Sequence, residues 1–342
     1  MTPFLLALAE RGWLPDAAIR AGIRHLLRRR LKRESAQADG AARLLEQLRT
    51  SPVALVPELA NRQHYEVPAS FFTLVLGPWL KYSCCLWEEA TSDLAHAEEA
   101  MLALTAARAR LEDGQDVLDL GCGWGSFTLW AASRYPHSRF LAVSNSTTQR
   151  AFITARAAAL GLVNVRVETA DANDFEPPAG AFDRVISVEM FEHVRNYPEL
   201  LRRIAVALRP RGELFVHIFC HRTLAYPFDV RDSSDWMARH FFSGGLMPSF
   251  DLLTHFQDHL VLAERWVVNG QHYARTLKAW LARLDAQRPA VRAALLDAYK
   301  ATEVDLWVQR WRMFFLACAE CFAYGGGREW HVGHYRFTRR ET

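Results

Sequence analysis

The sequence has little cysteine, no strong excess of one charge and no long apolar run. Its six cysteines are scattered irregularly over 342 residues, which argues against a disulfide framework and predicts a cytoplasmic protein. Lysine and arginine (41) nearly balance aspartate and glutamate (38), so a nucleic-acid partner is not expected. No run of about 18 apolar residues occurs, so no transmembrane segment is predicted.

Two local features suggest further sites, but each has a simpler explanation. Cys318 and Cys321 form a CxxC pair inside an apolar helical run, without a second ligand pair, so no metal site is predicted there. The basic run Arg28–Arg33 ends a predicted helix and is typical of a solvated face. Peripheral contact with anionic lipid remains an alternative for this run.

Aromatic residues, by contrast, are abundant: they make up 12% of the chain, with 11 tryptophans. Aromatic side chains are costly to leave in water, so this content indicates a deep binding cavity or a thick core. Composition alone does not choose between the two.

Short apolar strands alternate with helical segments through the middle of the chain, which predicts an α/β protein with a doubly wound parallel sheet. Helices are expected from residue 1 to about 60, and helical, aromatic-rich segments at 222–257 and 270–324 are expected to cap the sheet. The seven predicted strands are 117–120, 139–143, 163–167, 182–188, 213–219, 260–268 and 332–338.

A glycine-rich turn follows the first predicted strand, with Asp119, Gly121, Gly123 and Gly125 in the pattern D-x-GxGxG. A dinucleotide loop would need a third glycine where Ser126 stands, and an acid at the end of the second strand. The turn resembles motif I of class I S-adenosylmethionine-dependent methyltransferases. That resemblance implies a seven-stranded Rossmann-like fold with S-adenosylmethionine as cofactor.

Two further segments are expected to contribute to the cofactor site. Asp171 and Ala172 follow the third strand and are placed to contact the adenine, although a solvated loop acid is the alternative for Asp171. Asn145 and Gln149 could contact the ribose, and helix capping is the alternative for both.

Glu189, Glu192 and His193 follow the fourth predicted strand, at the sheet edge where open α/β folds bind ligands. Two acids and an imidazole beside apolar residues are expensive to bury, so they are candidate catalytic residues. The alternative is that Glu192 and His193 cap the next helix. If the substrate is an amine, Glu192 or His193 would take its proton while Glu189 holds the nitrogen.

Further motifs resemble the cyclopropane-fatty-acid synthase family: the Tyr82-Ser83-Cys84 segment, GCGWG at 121–125 and MFEH at 190–193. The resemblance implies that Tyr82 and Ser83 contact the cofactor. It also implies a bound bicarbonate acting as base, held by residues that share a polar or thiol group: Cys84, Glu192, His217 and Tyr273.

Within that family the chain is more similar to coclaurine-type N-methyltransferases, through segments 215–226, 241–249, 269–274 and 329–335. This likeness predicts methyl transfer to the nitrogen of a small hydrophobic or aromatic amine. Transfer of a methyl or methylene group to an unsaturated fatty-acyl phospholipid, with bicarbonate as base, is the alternative. A catalytically silent protein that binds the cofactor is a third.

Aromatic residues of the predicted cap are expected to line the substrate cavity, with core packing as the alternative for each: Trp236, Phe241, Phe242, Trp330 and Tyr335. Four units are predicted along the chain: an N-terminal extension and cofactor lid (1–90), the cofactor-binding core (91–221), a helical substrate cap with one core strand (222–325) and a final strand (326–342). A homodimer is left open.

Overall fold

A seven-stranded sheet forms the centre of the protein. The computed structural model describes residues 3–37, 40–53, 67–230 and 235–340. The strand order is β3-β2-β1-β4-β5-β7-β6, and β7 runs antiparallel to both of its neighbours while the pairs among β1–β5 are parallel. The strands are β1 (Asp116–Leu120), β2 (Arg139–Ser144), β3 (Val165–Thr169), β4 (Phe182–Val188), β5 (Leu208–His221), β6 (Leu260–Val268) and β7 (Trp330–Arg339). This arrangement confirms the predicted fold class.

Several strand boundaries differ from the prediction by one to five residues, and the starts of two strands show why. The third strand begins at Val165 instead of Val163, whose side chain is 98% exposed and has nothing to pack against. Strand β5 begins five residues early, at Leu208, because Phe182 of β4 pairs with Leu208 across a register shift.

Helices cover both faces of the sheet and are capped by local side chains. Ser146 accepts a hydrogen bond from the Gln149 amide and Asn196 accepts one from Glu199, and each begins a helix in this way. The helices are α1 (Pro3–Glu10), α2 (Asp16–Ser35), α3 (Gly40–Thr50), α4 (Ala69–Val75), α5 (Leu94–Arg108), α6 (Ser126–Arg134), α7 (Thr147–Ala159), α8 (Tyr197–Ala207), α9 (Trp236–His240), α10 (Gly270–Ala286), α11 (Arg288–Leu295) and α12 (Val304–Ala323).

The N-terminal helices pack onto the C-terminal half of the chain. Arg20 and Arg24 of α2 both reach Glu320 of α12, at 2.7 Å and 2.8 Å. Helices are therefore present in the first 50 residues, as predicted. The last part of that predicted helical stretch, 54–60, lies outside the described residues.

The prediction of a helical segment at 222–257 is wrong. Its described residues form two two-residue strands, Tyr226–Pro227 and Leu246–Met247, with the short helix α9 and a 3-10 turn at Leu252–His255. Proline and glycine interrupt each helical stretch there, since Pro227 and Pro248 lack the amide hydrogen that a helix interior needs. The second cap segment, 270–324, is helical as predicted, through α10, α11 and α12.

The aromatic residues fill a core between the N-terminal helices and the cap. Trp280 and Trp311 are almost completely buried there, and Phe71 and Phe72 of α4 pack against Trp311 with ring centroids 4.7 Å and 6.2 Å away. Among the described residues, no helix is long and apolar enough to cross a membrane.

Candidate active site

A cavity of about 660 Å³ lies at the carboxyl ends of β1 and β4, a volume in the range of small-molecule sites. Twelve of the predicted site residues line it: Tyr82, Ser83, Asp119, Gly121, Gly123, Gln149, Glu189, Glu192, His193, Trp236, Phe242 and Tyr273. We call the part formed by the β1 turn and its neighbours the donor half. The part that contains Glu189 and the aromatic side chains is the acceptor half.

The glycine turn is shaped so that the backbone forms the wall of the donor half. Gly121 has φ +79°, and a Cβ there would lie 2.6 Å from the Met190 side chain, so only glycine fits. Gly123 also has a positive φ, +53°, but no atom lies within 4 Å of its would-be Cβ. A ligand can therefore approach the backbone closely at Gly123.

Several buried polar atoms in the donor half have no hydrogen-bond partner among the described residues: Trp124 Nε1, Ser126 Oγ and Gln149 Nε2. Gln149 is held from its other end, because its Oε1 accepts a hydrogen bond from the Ser144 hydroxyl at 2.6 Å. Its amide NH₂ group is thus fixed and unsatisfied at the cavity wall. Buried polar groups need partners, so this donor set fits a polar ligand such as the ribose and amino-acid portions of S-adenosylmethionine.

Asp119 lies at the base of the same half and is 1% exposed. Its Oδ2 accepts a hydrogen bond from the Thr128 hydroxyl at 2.6 Å, and burial raises its pKa to about 6. The carboxyl is therefore anchored by α6 and presented to the donor half.

Glu98 of α5 fixes the loop that carries Tyr82 and Ser83. Its carboxylate accepts backbone hydrogen bonds from Gly77, Trp79 and Lys81, at 2.8–3.1 Å. Lys81 itself is 2% exposed, lines the cavity and donates to the Ser83 hydroxyl. No site role was predicted for Lys81, although its position beside the Tyr-Ser-Cys motif was a usable signal. As a buried cation it can bind an anionic group of a ligand.

Glu189 is the most constrained residue of the acceptor half. Its backbone is left-handed (φ +51°), and its amide donates to the His217 carbonyl at 2.8 Å. Its Oε2 accepts from the Tyr273 hydroxyl at 3.0 Å, and its Oε1 lies 3.4 Å from His217 Nε2. A non-glycine residue held in this strained conformation at a strand end is a candidate functional residue.

Glu192 follows in a 3-10 turn and is 2% exposed. Burial raises the pKa of Glu189 and Glu192, and the charge of Glu189 raises the pKa of Glu192 further. Two adjacent buried carboxyls resist double ionisation, so the pair titrates above the ordinary carboxyl range. Such a pair can hold a cation and exchange a proton with it.

Aromatic side chains surround these acids. His193 stacks on Phe242 with ring centroids 6.3 Å apart, and both line the cavity. Trp236 also lines it, and its indole N–H donates to Glu10 of α1 at 2.9 Å. Most of the acceptor half is therefore apolar, but polar groups besides the Glu189–His193 segment line the cavity as well: Tyr273, Asp235 and the basic residues Arg29, Arg30, Lys32 and Arg33 of α2.

Three residues predicted for the substrate cavity belong to the core instead. Phe241 stacks on Phe314 at 4.4 Å and Trp330 donates to the Tyr226 hydroxyl at 3.0 Å. Tyr335 packs on the far side of the sheet and donates to the Phe250 carbonyl. All three are at most 1% exposed, and none of them lines the cavity.

Other predicted site residues lie beside the cavity without lining it. Cys84 is buried and its thiol contacts the Cys85 carbonyl, while His217 sits behind Glu189. The remaining ones are at the carboxyl edge of the sheet: Gly125 at the start of α6, Asn145 after β2, and Asp171 and Ala172 after β3. Asp171 accepts a hydrogen bond from the Asn173 amide within its own turn.

The cavity wall also includes residues to which the sequence pointed only weakly. Ile19, Ile23 and Leu27 of α2 line it, as do Met313 and Phe314 of α12. The apolar spacing of α2 was visible in the sequence, but nothing local says what an amphipathic helix faces.

Comparison with known proteins places this geometry in a family. The profile described as mycolic acid cyclopropane synthetase matches residues 57–330. The chain belongs to the mycolic acid cyclopropane synthetase family. It is 37% identical to an (S)-coclaurine N-methyltransferase of Thalictrum flavum subsp. glaucum, over 98% of this chain and 95% of that one. A cyclopropane-fatty-acyl-phospholipid synthase of Escherichia coli strain K12 is 28% identical, over 73% of this chain and 66% of its own length.

Solved structures of the family agree with the fold. A coclaurine N-methyltransferase bound to N-methylheliamine and SAH superimposes with TM-score 0.92 at 36% identity, covering 97% of this chain and 98% of that one. A cyclopropane synthase of Mycobacterium tuberculosis is similar in fold, with TM-score 0.71, 24% identity and coverage of 83% and 99%. This member of the family is an S-adenosylmethionine-dependent methyltransferase.

Proposed function

We propose that this methyltransferase methylates the nitrogen of a small hydrophobic, aromatic amine. One observation carries the proposal: two buried carboxyls, Glu189 and Glu192, face an acceptor half that is lined mainly by aromatic and aliphatic side chains beside the glycine turn. Acids in such surroundings are costly unless they meet a cation or a proton. The relatives that match over nearly the whole chain are N-methyltransferases, which supports the same conclusion.

The donor half would hold S-adenosylmethionine against the turn at Gly121 and Gly123, with Ser126 and Gln149 donating to it. When bound, the cofactor supplies an electrophilic methyl group: an N–C bond forms, the S–C bond breaks with its electrons staying on sulfur, and the nitrogen loses one proton. The protein's own part is to position the nitrogen and to take that proton.

In the acceptor half, the two carboxyls divide these tasks. Glu189, held by Tyr273 and facing His217, would bind the protonated amine, and Glu192 or His193 would take the proton. Phe242 and Trp236 would hold the aromatic part of the substrate, since both line the cavity on the same side as His193.

The lipid alternative has less support from the contacts of the four residues that the resemblance assigns to bicarbonate. Tyr273 donates to Glu189 and His217 is directed at Glu189, while Cys84 does not line the cavity. Glu192 Oε2 and His217 Nε2 have no hydrogen-bond partner among the described residues, but of these two residues only Glu192 lines the cavity. Neither these contacts nor the relatives support a bound bicarbonate.

Lipid-surface contact, the cofactor lid, a homodimer and a cytoplasmic location stay predictions. Arg30 of the basic run pairs with Asp235 and Arg33 pairs with Glu34, so part of the run is used within the chain. Residues of α2 line the cavity, which supports a lid role for the N-terminal helices. All six cysteines are free, as expected in a reducing compartment.

The test is incubation of the protein with methyl-labelled S-adenosylmethionine and two substrate pools, small aromatic secondary amines and phospholipids with unsaturated chains. We expect label in the amine pool, with the Glu192→Gln protein as the matched control. Label confined to the lipid pool would overturn the proposal in favour of the synthase alternative. If calorimetry shows that the cofactor binds but neither pool becomes labelled, the protein binds the cofactor without catalysing methyl transfer.

A further inference from the structure

A line of polar side chains runs from α5 across the sheet to the active site. Arg108 Nη1 lies 2.8 Å from His334 Nδ1, and His334 Nε2 lies 2.8 Å from His217 Nδ1. His217 Nε2 in turn lies 3.4 Å from Glu189 Oε1. His217 and His334 are directly opposite each other in the β5–β7 pairing, and both are completely buried.

The direction of each hydrogen bond follows from the residue at the outer end of the line, Arg108. A guanidinium can only donate, so His334 Nδ1 must accept and the proton of His334 is on Nε2. That N–H donates to His217 Nδ1, which leaves the proton of His217 on Nε2, facing Glu189. A single fixed donor, Arg108, thus determines the tautomer of both imidazoles.

We propose that Arg108 and His334 are positioning residues that hold His217 in the Nε2–H form, so that this N–H faces Glu189 Oε1 at 3.4 Å and favours the anion that meets the substrate nitrogen. Neither of these two atoms has a hydrogen-bond partner among the described residues, so the effect is that of an oriented dipole. The proposal rests on the proposed function for its chemical meaning. It adds two residues that do not line the cavity and for which the sequence predicted no role in the site.

This line is unsuited to carrying a proton away from the site. Its outer end is an arginine, which cannot take a proton. Burial also lowers the pKa of His217 and His334 well below the usual histidine value, and the charge of Arg108 lowers both further. Both imidazoles are therefore neutral, and their role is to orient the N–H of His217 and not to carry a proton.

The groups around Glu189 fit the same assignment. Tyr273 of α10 donates to it, Lys81 supplies the nearest positive charge and His217 faces it from β5. The opposing influence comes from Glu192, whose pKa is raised by burial and by the charge of Glu189, while burial raises the pKa of the Cys84 thiol and keeps it neutral. Donors and cation thus converge on Glu189, which is the member of the carboxyl pair that we expect to ionise first.

The activity test compares two replacements of His334. Gln can accept from Arg108 and donate to His217, whereas Leu can do neither. Hydrogen bonds to charged groups contribute about 2 kcal/mol, so we expect His334→Leu to lower kcat/KM about 30-fold. We expect His334→Gln to stay within about 3-fold of the parent, and Arg108→Met to lie between the two.

His331→Leu is the matched control. It lies on the same strand, is 3% exposed, and neither of its ring nitrogens has a partner among the described residues. We expect it to leave kcat/KM unchanged. The acid limb of the kcat/KM profile should move to higher pH in His334→Leu but not in His331→Leu or His334→Gln, because Glu189 no longer faces an oriented N–H and its pKa rises. The affinity for S-adenosylhomocysteine should not change.

A second readout needs neither substrate nor turnover. Nitrogen-15 NMR of histidine-labelled protein, with His217 assigned through His217→Asn, reports which ring nitrogen carries the proton. We expect Nε2 protonated and Nδ1 bare in the parent and in His334→Gln. Protonation at Nδ1 in the parent would overturn the proposal, as would equal loss of activity in the Gln and Leu variants.

The two readouts separate the two proposals. If amines are not methylated but His217 shows the expected tautomer, the proposed function fails and the positioning role stands. If amines are methylated but His217 carries its proton on Nδ1, the proposed function stands and the positioning role fails. If His334→Leu does not fold, the NMR spectrum of the parent and the activities of His334→Gln and Arg108→Met still test the positioning role.

Discussion

The two halves of the cavity are built in different ways. The donor half comes from strand ends and the turns that follow them, and its wall is largely backbone, with Gly121 and Gly123 at positive φ. The acceptor half comes from side chains of distant segments, including α2, α10 and α12. One half is specified by local conformation and the other by long-range packing. We therefore expect mutations in the two halves to affect different steps.

The largest expected effect is in the acceptor half, at Glu192. Glu192→Gln removes the proposed proton acceptor but keeps the shape, so kcat should fall by at least about 100-fold. The affinity for S-adenosylmethionine, measured by calorimetry, should change little. Glu199→Gln is the control, since Glu199 pairs with Arg202 and Arg203 on α8, outside the cavity. Equal loss of turnover and cofactor affinity would make Glu192 a structural residue.

Two adjacent phenylalanines give the next contrast. Phe242→Ala removes a ring from the cavity wall, so the amine KM should rise about 10- to 30-fold, because its contact with the substrate is lost. Phe241→Ala removes a core ring stacked on Phe314, so the free energy of unfolding should fall by about 3–5 kcal/mol. Steady-state kinetics and thermal unfolding distinguish them. If both variants changed KM alike, the assignment of Phe241 to the core would be wrong.

Gln149→Leu tests the donor half. The amide NH₂ of Gln149 has no partner among the described residues and is fixed by Ser144, so its loss should weaken cofactor binding about 5- to 10-fold. The maximal rate at saturating cofactor should remain close to that of the parent. Gln115→Leu, before β1 and away from the cavity, is the control. A change in amine KM without a change in cofactor affinity would contradict the division into halves.

The smallest effect is a pH shift from Tyr273→Phe. The Tyr273 hydroxyl donates to Glu189 and lowers its pKa, although burial keeps that pKa above the ordinary value. Removing the donor favours the protonated carboxyl, so the acid limb of kcat/KM should move up by about 1 pH unit. Activity should therefore be lost first on the acid side. A downward or absent shift, measured with the same amine, would mean that Glu189 does not ionise in the working range.

Many of the residues that line the donor half could be located from the sequence because the signals for them are short, while their roles stay predictions. The spacing of Asp119 and the three glycines placed the turn after β1, and the alternation of strands and helices placed the sheet. The acids at 189 and 192 were found because they directly follow a strand. The aromatic assignments were mixed: Trp236 and Phe242 line the cavity, while Phe241, Trp330 and Tyr335 do not. Aromatic content does not say which way a ring points.

By itself, therefore, the sequence determined the fold class, the position of the glycine turn and the position of the two acids at the end of β4. These features depend on periodicity and on residues a few positions apart. Only the tertiary structure decided what surrounds them. The line from Arg108 through His334 to His217 joins an α5 terminus to two strands separated by more than 100 residues. Such contacts exist only after β7 has inserted beside β5, because strand register, and not chain proximity, brings these side chains together.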